Sequence, residues 1–147
     1  MPVRSCWPAL LLKANQEQEL AVAGLTRARG RLSALAQQRE RVARMMDEYA
    51  DRHRKLTRGD HYVNDSLVIQ SFVAQLRLML DRIDTECLNA EQACRAAAET
   101  LNAARAQANK FGKLIHLEAV ALQDSARRSE ARSLDEMALL QYRLRER

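Results

Sequence analysis

The sequence predicts an all-α fold: a long antiparallel two-helix coiled-coil hairpin, with the C-terminal part of the second helix overhanging. Composition is the first of three observations behind this. Aromatic residues make up 4% of the 147 residues, hydrophobic residues 47% and charged residues 29%, with 4 Gly and 2 Pro. Ala, Leu, Arg, Glu and Gln in that balance favour long helices over a globule, whose core needs more large side chains. The other two observations are a pair of heptad seams and the break between them. At this length one domain, residues 1–147, is expected.

Pro8 is the last proline, so the first helix can run from about residue 9 to residue 57. From Leu25 onward, alternating 3-4 spacing picks out Leu25, Ala28, Leu32, Leu35, Arg39, Val42, Met46, Tyr49, His53 and Leu56. That is a heptad seam with one charged and one histidine position. Before Leu25 the seam is weaker, through Leu11, Ala14, Gln18 and Ala21.

The period then fails in TRGDHYVND, Thr57 to Asp65, where Gly59, Asn64 and two Asp mark a loop over about residues 58–65. Asp65 or Ser66 would cap a second helix, expected over about residues 66–143. Its seam runs Ile69, Val73, Leu76, Leu80, Ile83, Cys87, Ala90, Cys94, Ala97, Leu101, Ala104, Ala108, Phe111 and Ile115. Every member is apolar or small, and the alanines imply close approach of the two helix axes.

Folding back near residue 61 makes the numbers of facing residues total about 123 in an antiparallel pair. Ala9 would then face residue 114, and the second seam fades just there. Its next positions are Glu118, Leu122, Ser125, Ser129 and Arg132, and Gly112 lies at the junction. Residues from about 116 on therefore overhang as a single helix. At 1.5 Å per residue the helices would be roughly 70 Å and 120 Å long. A parallel homodimer is the alternative, but its helix must run through TRGDHYVND.

Several function classes are excluded or disfavoured. No Gly-rich phosphate loop, nucleophile elbow or paired-Cys motif appears, so no catalytic residues, no enzyme activity and no cofactor are expected. His53, Asp60 and His61 near the loop lack a defined ligand spacing and read as solvated residues, not a metal site. Cys87 and Cys94 are about 10 Å apart along one helix, too far for a bridge. They fall on the apolar seam, where thiols pack as small hydrophobes, and with Cys6 they fit a reducing cytoplasm. The opening MPVRSCWPALLLK is too short in apolar residues for an export signal, and no segment approaches a membrane span.

The formal net charge is +5. Up to Asp60 there are 12 basic and 7 acidic residues, and after it 12 and 12. A basic bias fits nucleic acid, anionic lipid or an acidic protein and does not choose among them. The clusters are Arg27/Arg29/Arg31, Arg127/Arg128/Arg132 and Arg143/Arg145/Arg147. Solvated helix surface, with partners such as Glu40–Arg44 and Glu48–Arg52, is the plain explanation. The last cluster differs because it lies on the overhang. There Leu134, Met137, Leu140 or Gln141, and Leu144 form an amphipathic segment with no hairpin partner, which points to a docking site.

Near the loop, Gln38, Val42, Met45 and Tyr49 are spaced 4-3-4 on the first helix. Phe72, Leu76, Met79 and Ile83 are spaced 4-3-4 on the second. The fold-back brings both quartets together. Large, adaptable side chains beside a seam point to a contact surface, with ordinary seam packing as the alternative.

Three stretches carry a resemblance: MMDEYADR at Met45–Arg52, VIQSFVAQLRLMLDRI at Val68–Ile83, and SLDEMALLQ at Ser133–Gln141 with its acidic Asp135 and Glu136. In that order and spacing, the chain resembles the FliJ family of the bacterial flagellar export apparatus. Its injectisome relatives are called SctO or YscO. The resemblance implies a non-catalytic stalk whose end bearing both termini enters the ring of the hexameric export ATPase. It also implies contacts with the export gate membrane protein and with substrate chaperones. The protein would be cytoplasmic, peripheral to the inner membrane through its partners, and monomeric when isolated, without nucleic acid. By position, the gate-binding residues would be Gln38, Val42, Met45, Tyr49, Phe72, Leu76, Met79 and Ile83. ATPase-binding residues would be Arg127, Arg132, Arg143 and Arg145. Met45 stands where the family typically has an aromatic, and Met79 and Ile83 where smaller or polar residues occur. A flagellar system is favoured slightly over an injectisome. A homodimeric scaffold and a basic nucleic-acid-binding coiled coil are the rival readings.

Overall fold

The structure, a computed structural model, describes residues 6–58 and 63–146. The loop residues Gly59, Asp60 and His61 lie outside the described residues, as do the first five residues and Arg147. The described residues form two helices, α1 (Trp7–Thr57) and α2 (Val63–Arg145), which pack against each other as an all-α hairpin. By compactness the chain divides into two units: Glu19–Asn102, and Met1–Gln18 with Ala103–Arg147.

Both helices start earlier than the sequence signals placed them. Pro8 sits in the first turn of α1, where its missing N–H has no intrahelical partner to lose. The Leu10 N–H donates to the Cys6 carbonyl at 3.2 Å and closes that turn. Asp65 is not a cap but lies in the first turn of α2, where its carboxylate complements the positive end of the helix dipole. Ser66 is not a cap either. Its hydroxyl lies 2.9 Å from His53 Nε2 on α1 and ties the two helices together beside the loop.

In the unit Glu19–Asn102, the heptad seams are the buried faces. Val42, Leu76 and Ile83 form the core, and Met46, Tyr49, Phe72, Leu80 and Cys87 pack against it. Leu25 and Leu35 on α1, and Ala90 and Leu101 on α2, are also buried. Bulky leucines on α1 opposite a stretch of Ala and Cys on α2 let large side chains fill the room that small ones leave. The pairs Arg39–Asp84, Tyr49–Phe72 and His53–Ser66 have residue numbers totalling roughly 120, the antiparallel register that a turn near residue 61 requires.

Arg39 interrupts the α1 seam and remains exposed. Its Nε donates to the Asp84 carboxylate across the hairpin. That hydrogen bond, and then the carboxylate charge, raise the Arg39 pKa above its ordinary value, while burial opposes the shift. Solvent screens a half-exposed pair, so its main consequence is register. In an in-register parallel dimer Arg39 would meet its own copy; only the hairpin offers it Asp84. Arg39→Asp should therefore lower the unfolding temperature, and Arg39→Asp with Asp84→Arg should recover most of the loss. Thermal unfolding followed by circular dichroism reads both, and failure of the swap to recover would remove the pair from register selection.

In the other unit, Ala14 and Ala108 are buried and Leu11, Ala104 and Ile115 are half-buried. The Trp7 and Phe111 rings lie 6.0 Å apart at 31°. α2 runs through Gly112 without a break, and a Cβ there would meet nothing within 4 Å. Glu118 is the last half-buried residue, and from Ala119 to Glu146 every residue is exposed. No helix among the described residues is long and apolar enough to cross a membrane.

Candidate functional site

Two surfaces carry the residues that the sequence singled out. The first lies near the loop end of the Glu19–Asn102 unit. Its eight residues separate into two sets. Val42, Leu76 and Ile83 are 6%, 4% and 4% exposed, so their side chains hold the helices together. Gln38, Met45 and Met79 are exposed, the two methionines at 41% and 47%.

Tyr49 and Phe72 lie between these sets. Both are half-buried on the core, with ring centroids 4.6 Å apart and planes at 65°. An edge-to-face pair of this kind contributes packing energy and still leaves part of each ring open. The Arg52 guanidinium lies 5.0 Å from the Tyr49 ring centroid, a cation–π contact in place of the expected pair with Glu48. The expected Glu40–Arg44 pair does form, at 2.8 Å, and Arg54 bonds Asp51 at 2.9 Å. The resulting surface is a ridge of soft, adaptable side chains, Met45 and Met79 flanking two aromatic edges, fixed from beneath by the core.

The second surface is the exposed length of α2. Arg127, Arg132, Arg143 and Arg145 are all exposed on it, as are Leu122, Leu134, Met137, Leu140 and Leu144. At 100° per residue, Leu122, Met137, Leu140 and Leu144 fall on the face that carries Phe111 and Ile115 within the same unit. Between them Ser125, Ser129 and Arg132 interrupt the stripe. Charge on Ala119–Glu146 balances: Arg127, Arg128, Arg132, Arg143 and Arg145 against Asp124, Glu130, Asp135, Glu136 and Glu146. Any electrostatic attraction is therefore local to the arginine clusters and short in range.

Elsewhere, Cys87 and Cys94 are half-buried free thiols on the seam and Cys6 is an exposed one. His53 is occupied by Ser66. Sequence reasoning missed the Asp84 partner of Arg39, although a register total near 123 places those two residues opposite each other. It also missed the Trp7–Phe111 contact, whose signal was two rare aromatics at positions that the hairpin brings together.

Residues 9–147 match the family model described as the flagellar FliJ protein. No curated protein and no solved structure matches the chain. With nearly the whole length matched, and a two-helix hairpin that sets the three resembling stretches on its helices, the chain belongs to the FliJ family of flagellar export proteins.

Proposed function

We propose that the protein is a non-catalytic stalk of a bacterial type III protein export apparatus, flagellar rather than injectisome. It inserts into the export ATPase ring, promotes ring assembly and activity, and links the ring to the export gate and substrate chaperones. The observation that carries this reading is the C-terminal length of α2. From Ala119 on it is helical and exposed on every side, with Leu134, Met137, Leu139, Leu140, Tyr142 and Leu144 left in water and Arg143 and Arg145 at the end. A single helix that keeps an apolar stripe in water is complete only when something encloses it.

A ring pore encloses a helix without a matching second helix. Exposed arginines facing acidic pore loops provide attraction without a fixed geometry, which suits a stalk that meets six equivalent subunits in turn. The half-buried Leu10 and Leu11 help pack α1 beside α2 in the same unit. The family's flagellar description supports the choice of system. The protein works in the cytoplasm, reaches the inner membrane only through its partners, and is a monomer when isolated.

The test is ATP turnover by the cognate export ATPase with and without the chain. A rise in turnover together with ring assembly is the expected result. Unchanged turnover, with retention on DNA or RNA that falls steeply with salt, would support the nucleic-acid reading instead.

A further inference from the structure

The start of α2 has a property that its role in the hairpin does not require. Ser66 to Leu76, SLVIQSFVAQL, is eleven consecutive residues without a charge in a chain that is 29% charged. Ile69, Val73 and Leu76 use one face of this stretch to pack on α1. The outward positions of a two-helix coiled coil normally carry charges that keep it soluble. Here they carry Leu67, Val68, Ser71 and Gln75, followed by Leu78 and Met79. Val68 and Leu78 are 67% and 66% exposed.

At 100° per residue, Phe72, Met79, Val68, Gln75, Ser71 and Leu78 follow one another around the helix in that order. The sequence of positions begins at the Tyr49–Phe72 edge and ends on the side of α2 turned away from α1. Arg77 lies on the opposite edge of the hairpin, and Arg82 bounds the strip one turn beyond Leu78. An exposed strip that carries no charge and keeps large aliphatic side chains in water is one that a partner covers.

We propose that the gate-docking surface continues from Phe72 and Met79 across the outer face of α2 through Val68 to Leu78. This face receives an uncharged, aliphatic segment of the same partner protein. The proposal rests on the gate-docking reading above. The chemistry of the strip selects this occupant: it offers neither cations nor anions to an ionic ligand. It is also continuous with the ridge of Met45, Tyr49, Phe72 and Met79, so one partner segment can cover both.

The experiment compares binding of the full-length chain to the gate protein's soluble region, by calorimetry, for wild type, Val68→Lys/Leu78→Lys and Met45→Lys/Met79→Lys. Both variants should bind about tenfold more weakly or worse, as truncation at the centre of a contact does. Helicity and unfolding temperature should not change, because both replaced side chains in the first variant face solvent. Val68→Ser/Leu78→Gln, which adds no charge, repeats the test should the lysines disturb the helix.

Loss in Met45→Lys/Met79→Lys with wild-type binding in Val68→Lys/Leu78→Lys would overturn the extension and leave the gate reading standing. Absence of wild-type binding would overturn both. Two other results would overturn the proposal in favour of a different occupant. One is a wild-type dimer that Val68→Lys/Leu78→Lys makes monomeric. The other is wild-type retention on phosphatidylcholine vesicles that the same variant abolishes.

Discussion

Replacing Arg143 and Arg145 with Glu is expected to remove stimulation of the export ATPase while leaving the hairpin folded. Both residues are exposed, as is every residue from Ala119 to Glu146. Their loss therefore removes no packing. It does place two acids in the last turn of α2, where basic residues complement the negative end of the dipole. Some fraying of that turn will follow, so Arg143→Gln/Arg145→Gln belongs beside it. If the arginines act through charge, the Gln pair should weaken ATPase binding about tenfold, and the Glu pair should weaken it further at low salt. Raising the salt should narrow the difference between wild type and the Gln pair, because exposed charges are screened within a Debye length. Full stimulation by the Glu pair would take this end of α2 out of the ATPase contact.

Leu76→Ala and Met45→Lys/Met79→Lys are expected to have opposite effects. Leu76 is 4% exposed at the centre of the loop-end core, and truncating a buried Leu costs about 2–5 kcal/mol. A two-helix core can relax around the cavity, so the lower half of that range applies. A loss of about 2–3 kcal/mol corresponds to an unfolding temperature lower by roughly 5–10 °C in a chain of this size. Met45 and Met79 are exposed and are not among the residues packed against that core. Lys keeps their helix propensity, so the double variant should unfold within about 1–2 °C of wild type. Its affinity for the gate protein should nevertheless fall about tenfold or more. Thermal unfolding and calorimetric binding on the same preparations separate the two effects. Equal destabilisation by both variants would make Met45 and Met79 part of the core. The aromatic pair is a poorer probe, because Tyr49→Ala or Phe72→Ala would remove packing and contact surface together.

Much of this fold was legible because one signal dominates it. A 3-4 apolar period over many turns has few solutions, and the buried faces of α1 and α2 follow the seams at every position but Arg39. The end of the paired region was legible too, since Ser125, Ser129 and Arg132 break a seam that Phe111 and Ile115 still keep. Helix starts were less so. Asp65 and Ser66 suit a cap and a first turn almost equally, and only the backbone distinguishes them.

The division of the eight loop-end residues into buried and exposed was half legible. Spacing grouped Val42 with Met45, and Leu76 with Met79, but the two kinds of position differ by a rotation about the helix axis. Val42, Leu76 and Ile83 also belong to the seams, and that membership, more than the 4-3-4 spacing, foretold their burial. The outer face of α2 was hidden for a different reason. The seam accounted for Ile69, Val73 and Leu76 only, and spacing alone does not show that Val68 and Leu78 remain in water.

The most direct test of the stalk account is the stoichiometry of the complex, measured by native mass spectrometry on the export ATPase mixed with an excess of this chain. One chain per hexamer is the expected result, because a pore admits a single helix and leaves the remaining subunits without a copy. Binding on the outside of the ring would instead give up to one chain per subunit. That result, or the absence of any complex, would contradict the placement of α2 in the pore.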